Sequence, residues 1–270
     1  MTHLPPGSLA LVTGAGSGIG RATAVELARH GARVLSVDID GSAATRTAGG
    51  CPGGGHAAYP ADVADPDAVT ALAERVHAEH GPLDVLVNNA GVGMSGRFLS
   101  TTLDDWRWIL GVNLLGVIHG CRAFGPQMVE RGRGHVVNVA SGLAFTTRAT
   151  EPAYVTTKAG VLALSRCLRA DWGWRGVRVS VVFPGVTDTP IVRHSRFRGD
   201  RASPRVRRRA ERFFLRWGRP PEAVGRAIVE VIGRDRPVVP IGLEAWIGWY
   251  ASRLLPVRMA DRLASGSVIL

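Results

Sequence analysis

Residues 8–40 read SLALVTGAGSGIGRATAVELARHGARVLSVDID, which places an apolar run, a glycine-rich turn, a helical stretch and a second apolar run in that order. Leu9 to Val12 and Val34 to Val37 have the length and aliphatic content of short buried strands. Between them, Ala22, Val25 and Leu27 give the stretch an apolar side, and Gly31 stops it. The order strand, turn, helix, strand is a βαβ unit, and its two strands must run parallel.

The same pattern recurs along the chain. Apolar runs return in HAAYPADV (56–63), LDVLVNNAG (83–91), GHVVNVAS (134–141) and VRVSVVFPG (177–185), each after a segment of helical length. Strands are expected near 8–13, 33–38, 57–61, 83–88, 134–140, 177–183 and 237–240. Short apolar strands alternating with helices require a parallel sheet covered on both faces and wound right-handedly. The expected class is therefore α/β: a Rossmann-like, doubly wound, seven-stranded parallel sheet. In such sheets ligands sit at the carboxyl ends of the strands.

Composition sets the outer bounds. The 270 residues are 46% hydrophobic and 20% charged, which fits a globular chain with a sizeable core, read as a single domain over residues 1–270. Cys51, Cys121 and Cys167 are few, scattered and without zinc spacing, so they read as buried apolar filler, and no metal site is expected. The start MTHLPPGS has no charged segment leading into an apolar one, so a cytoplasmic location is the expectation.

The turn TGAGSGIG, Thr13 to Gly20, is the first candidate site. Gly14 permits the tight turn, Gly18 lets backbone approach a phosphate, and Gly20 allows close packing of helix on strand. The helix that follows aims its N-terminal dipole at the anion, so Gly14, Ser17, Gly18, Ile19 and Gly20 form a dinucleotide cradle. Asp38 closes the second strand, where a carboxylate takes ribose hydroxyls and repels a 2′-phosphate. With no cation at Ser17 or Ile39, NAD is favoured over NADP.

The second candidate is YVTTK, Tyr154 to Lys158, in which Lys158 is the only lysine among 33 basic residues. Residues four apart on a helix share a face, so the phenol and the ammonium project together. Moving a proton to or from an alcohol near neutral pH requires a phenol brought from about 10 to about 7. That costs about 4 kcal/mol, comparable to one ammonium at ~4 Å and an effective dielectric of ~20. A compact ammonium can reach phenol, ribose hydroxyl and water together, which a planar guanidinium cannot.

The ordered set TGxxxGxG, NNAG (88–91), Ser141, YxxxK and the Pro184–Gly185 pair resembles the short-chain dehydrogenase/reductase family in its shorter form, over roughly residues 8 to 240. The resemblance implies that Asp62 and Val63 border the adenine, and that Asn89 and Gly91 support the sheet and touch the cofactor. It implies that Asn113 helps hold a water chain to Lys158, Ser141 positions the substrate oxygen, and Tyr154 is the general acid or base. Pro184, Gly185, Thr187 and Thr189 would line the nicotinamide, with Thr189 on its carboxamide. Thr157 and Thr187 depart from the residues usual at those positions. The family also implies a homodimer or homotetramer.

Substrate and partners are read from the remaining segments. Val92 to Met94, Gly142 to Phe145 and the residues after Thr189 are mostly apolar, favouring a hydrophobic, lipid- or steroid-like secondary alcohol or ketone. Residues 189–220 are expected to form a helical lid with Phe213, Phe214 and Trp217 beneath it. Residues 193–219 hold eleven arginines against Asp200 and Glu211. That run reads as a solvated face, with docking of an anionic carrier or headgroup as the alternative; nucleic acid is disfavoured because no recognition motif accompanies it. Residues 241–270 read as an amphipathic extension, with 241–265 packing on the lid or a partner subunit in preference to a membrane interface. Rival readings are an NADPH-dependent 3-ketoacyl-thioester reductase, which Asp38 opposes, and a non-catalytic nucleotide-binding or membrane-surface protein, which the set Asn113, Ser141, Tyr154 and Lys158 opposes.

Overall fold

The computed structural model describes residues 5–256, 258 and 259. In chain order, β1 (Leu9–Thr13), α1 (Gly18–Arg29), β2 (Arg33–Asp38), α2 (Gly41–Gly50), β3 (Ala57–Pro60), α3 (Pro66–His80) and β4 (Val85–Asn88) form the first half. There follow β5 (Met94–Ser95), α4 (Leu103–Leu110), α5 (Gly116–Arg131), β6 (Gly134–Val139), α6 (Pro152–Trp172) and β7 (Val177–Pro184). The chain continues through β8 (Arg196–Phe197), α7 (Pro204–Trp217), α8 (Pro221–Arg234), β9 (Val238–Ile241) and α9 (Leu243–Leu254).

Seven strands form one parallel sheet, as the sequence led one to expect, and their order is β3-β2-β1-β4-β6-β7-β9. Every residue of β1 is buried, because a parallel strand in the middle of the sheet meets helices on both sides. Its alternation assigns Ala10 and Val12 to a core shared with α1 and α8, and Leu9 and Leu11 to a core shared with α3, α5 and α6. Gly225 of α8 lets that helix close on α1: a Cβ there would lie 2.9 Å from the Ala22 carbonyl.

Caps set where these helices begin. The Asp40 side chain accepts from the Ala43 amide, Asp65 accepts from Asp67 and Ala68 ahead of Pro66, and Thr102 forms a reciprocal capping box with Asp105. Between α4 and α5, residues Gly111–Leu115 widen into a turn of π-helix, a feature common at functional sites. The run Leu103–Arg131 is long and apolar enough to cross a bilayer by composition, yet part of it packs in the core beneath the sheet.

The strand order reverses between β1 and β4. Here Thr13 Oγ1 accepts from the Asn89 and Ala90 amides at 3.0 Å each, and Asn89 Nδ2 donates to the Thr13 carbonyl at 2.9 Å. Those bonds hold the carboxyl ends of the two strands open as a crevice, the place where doubly wound sheets bind ligands.

Candidate active site

A single cleft of about 1720 Å³ runs along the carboxyl edge of the sheet from Asp38 to α7 and α9. It exceeds the 300–1,000 Å³ of a single-ligand pocket. Of the catalytic and cofactor-binding residues expected from sequence, all but Gly20 and Asn113 line it.

The glycine turn forms one end. Gly14 and Gly18 have φ of +63° and +50°, a region that disfavours side chains. A Cβ on Gly20 would collide with the Gly14 carbonyl, so Gly20 works from behind the cleft by letting α1 start against the turn. A Cβ on Gly16 would lie 2.8 Å from Asp38 Oδ2, the atom that accepts from the Gly16 amide at 2.8 Å. Asp38 Oδ1 accepts from the Asp40 amide at 3.0 Å, so its carboxylate is fixed at the rim. Asp40 lines the same end, while Asp62 and Val63 form the adjoining wall. Asp62 caps its own loop through the Ala64 amide at 2.9 Å.

Ser141, Tyr154 and Lys158 meet in the middle of the cleft. Ser141 leaves the end of β6, and its Oγ accepts from the Leu143 amide at 3.2 Å and is hydrogen-bonded to Tyr154. Lys158 is buried, and its Nζ donates to the Val139 carbonyl at 3.0 Å. A Cβ on Gly91 would be 3.4 Å from both Lys158 Nζ and Asn113 Oδ1, so this position stands directly against both groups. Asn113 lies fully buried behind them in the π-turn. Its Oδ1 accepts from the Val92 amide at 2.8 Å, and its Nδ2 donates to the Val92 carbonyl and to Thr157 Oγ1. The Asn113 side chain thus sets the loop after β4, and Thr157 joins it to α6.

The electrostatics correct one expectation. Lys158 Nζ stands 6.0 Å from the Tyr154 ring centroid, and the phenol is not brought down toward 7. Burial instead pushes the phenol up to about 12; the Ser141 hydrogen bond pulls it back, and the Glu151 carboxylate adds to the rise. Burial also pushes the Lys158 ammonium down to about 8. The lysine alone does not bring the Tyr154 pKa near 7, because desolvation works against both charges.

At the far end, Pro184, Gly185, Thr187 and Thr189 line the cleft beyond β7. Thr189 packs over the glycine turn: a Cβ on Gly18 would be 3.1 Å from its Cγ2. Thr187 Oγ1 turns inward to donate to the Gly185 carbonyl at 3.1 Å. Sequence reading missed Glu244 of α9, whose Oε1 accepts from the Val186 amide at 3.0 Å and whose Oε2 pairs with Arg219 at 3.5 Å. It ties the C-terminal helix to the Pro184–Gly185 loop.

The lid is anchored by a second missed residue. Strand β8 pairs with β5 to form a two-stranded sheet at the cleft wall. Asp105, buried, accepts from Arg198 at 2.7 Å and 2.8 Å and from Arg196 at 3.2 Å. Arg198 above all holds its carboxyl down at about 2. The arginine run is therefore divided: Arg196, Arg198, Arg207 and Arg219 brace the lid, while Arg205, Arg208, Arg209, Arg212 and Arg216 are exposed.

Phe213 and Phe214 lie beneath the lid and line the cleft. Trp217 does not: it ends α7 beyond the cleft wall and is 69% exposed. Helix α9 does not lie on the lid through its aromatic side; Trp249 packs on Phe145 and Phe183 instead. Of the 241–270 extension, residues 257 and 260–270 lie outside the described residues. Cys51 and Cys121 are buried, but Cys167 is exposed on α6 and fills no core.

The comparisons with known proteins agree with this architecture. A family model described as short chain dehydrogenase matches residues 8–198. Probable oxidoreductase EphD of Mycobacterium tuberculosis is 43% identical over 256 residues, covering 92% of this chain and 43% of that protein. The chain thus spans less than half the length of that relative. D-threitol dehydrogenase of Mycolicibacterium smegmatis is 42% identical over 187 residues, 68% of this chain and 72% of that one. The crystal structure of a short chain dehydrogenase/reductase from Burkholderia phymatum in complex with NAD superposes with a TM-score of 0.82, at 28% identity, over 98% of both chains. With most of its length matching one family model and its fold matching a solved member end to end, the chain belongs to the short-chain dehydrogenase family.

Proposed function

We propose that this chain is an NAD-dependent oxidoreductase that moves a hydride between nicotinamide and the carbon of an apolar secondary alcohol or ketone, with Tyr154 handling the proton. The convergence of Ser141, Tyr154 and Lys158 in a cleft that begins at Asp38 carries this reading. The turn fits a dinucleotide, because its backbone tolerates no Cβ at Gly14 or Gly16 and leaves amides at the start of α1 for phosphate. Asp38 and Asp40 at the ribose end favour NAD over NADP by opposing a further phosphate.

Bound oxidised nicotinamide would supply the hydride acceptor and a positive charge. Lys158 would hold ribose hydroxyls with the N–H groups not given to Val139. Ser141, fixed by the Leu143 amide, would hold the substrate oxygen beside the Tyr154 phenol. Tyr154, held near 12 by burial, would release its proton only once cationic charge accumulates beside it. Val92, Met94, Phe145, Val192, Phe213 and Phe214 give the substrate end an apolar lining, which supports a hydrophobic substrate. A homodimer or homotetramer is part of the same proposal.

Titrating the protein with NADH and NADPH by nicotinamide fluorescence tests the cofactor. Tighter NADH binding that Asp38→Ala weakens is the expected result. Equal or tighter NADPH binding would remove the Asp38 argument and direct the screen to ketoacyl thioesters.

A further inference from the structure

Helices α7 and α9 both border the cleft, and their outer faces carry the same spacing in opposite chemistry. On α7, Val206, Ala210, Phe213 and Phe214 face the cleft and Arg209 borders it, while Arg205, Arg208, Arg209, Arg212 and Arg216, all exposed, recur at i, i+3, i+4, i+7 and i+11. At 3.6 residues per turn those five fall within an arc of about 100°. On α9, Leu243, Trp246, Ile247, Tyr250 and Leu254 follow the identical spacing and are between 38% and 77% exposed. Trp246 and Tyr250 stack on each other at 5.8 Å within that outer arc, and no charged residue of α9 falls inside it. The opposite side of α9 is already satisfied, with Ala245 and Gly248 buried and Trp249 packed on Phe145.

An apolar stripe three turns long that none of the described residues covers implies an occupant. A second copy pairing through the α7 stripe would set arginine against arginine, and like charges oppose that pairing. An anionic bilayer answers both stripes. Arginines are attracted to its surface, while tryptophan, tyrosine and leucine enter the headgroup boundary. We propose that the outer faces of α7 and α9 dock this chain on an anionic lipid bilayer. Docking brings the cleft border to the phase where apolar substrates concentrate, a consequence that rests on the hydride-transfer reading; the docking itself does not.

Co-sedimentation with phosphatidylcholine vesicles, with and without phosphatidylglycerol, tests it on the full chain. Wild type is expected to pellet with the anionic vesicles only. Arg208→Gln/Arg212→Gln should lower partitioning roughly 30-fold, the equivalent of about 2 kcal/mol at 1 kcal/mol per basic side chain. Ile247→Ser/Tyr250→Ser should lower it at least as far, with circular-dichroism melts unchanged in both variants. Pelleting that ignores the α9 variant would overturn the proposal by leaving only charge adsorption. So would no pelleting by a wild type that forms dimers which Ile247→Ser/Tyr250→Ser breaks, because the face would then belong to a second copy. NADH titration of the same samples reads the cofactor proposal separately.

Discussion

Replacing Lys158 by methionine should make the ligand-free protein's stability less dependent on pH while removing its activity. Burial lowers the ammonium from 10.5 to about 8. Below pH 8 the folded chain therefore carries a desolvated charge that the unfolded chain holds in water, a penalty of about 3 kcal/mol at 1.36 kcal/mol per unit. The sign follows from proton counts. Between pH 8 and 10.5 the unfolded state binds more protons, so wild-type stability gains as pH rises, and the penalty is fully present only below 8. Lys158→Met has no such dependence. It also leaves the Val139 carbonyl without its donor, at about 1–3 kcal/mol, but that cost does not change with pH. Urea unfolding of both proteins at pH 7 and pH 10 isolates the titration. The stability of wild type relative to Lys158→Met should rise by about 2–3 kcal/mol between the two. A difference that stays constant would refute a desolvated lysine at this site.

Asp105→Asn should destabilise the fold by about 2 kcal/mol, discounted from a fully buried ion pair because Arg196 and Arg198 are partly exposed. Because the folded carboxyl sits at about 2 and the unfolded one at 3.8, the wild-type advantage is complete above pH 4 and fades as pH falls through 2; acid unfolding curves check it. Gly16→Ala would push a methyl against Asp38 and Ala43, so NADH affinity should fall at least tenfold in a fluorescence titration of the folded variant.

Strand positions were legible because each central strand is a short aliphatic run buried on both sides, which leaves its mark in consecutive residues. The glycine turn and the pair Tyr154 and Lys158 were legible for the same reason, since their constraints lie within one turn or one helix. Asp105 was not: its partners stand 91 and 93 residues later, and its sequence context shows only a helix cap. Glu244 lies 58 residues from the Val186 amide it accepts from, so nothing local marks it. The two-residue strands β5 and β8 are too short to carry a period, and Trp217 misled because aromatic content does not say where a helix ends. The tuning of Tyr154 was misread because spacing gives a shared face but neither the 6.0 Å separation nor the desolvation around it.

The measurement closest to the central claim is NADH formation from NAD⁺ with a panel of apolar secondary alcohols, for wild type and Tyr154→Phe, alongside NADH binding. Turnover by wild type and a loss of roughly 10²–10⁴-fold in Tyr154→Phe, with NADH affinity retained, is the expected result. Turnover by Tyr154→Phe at the wild-type rate would contradict it, because the proton would then have another carrier.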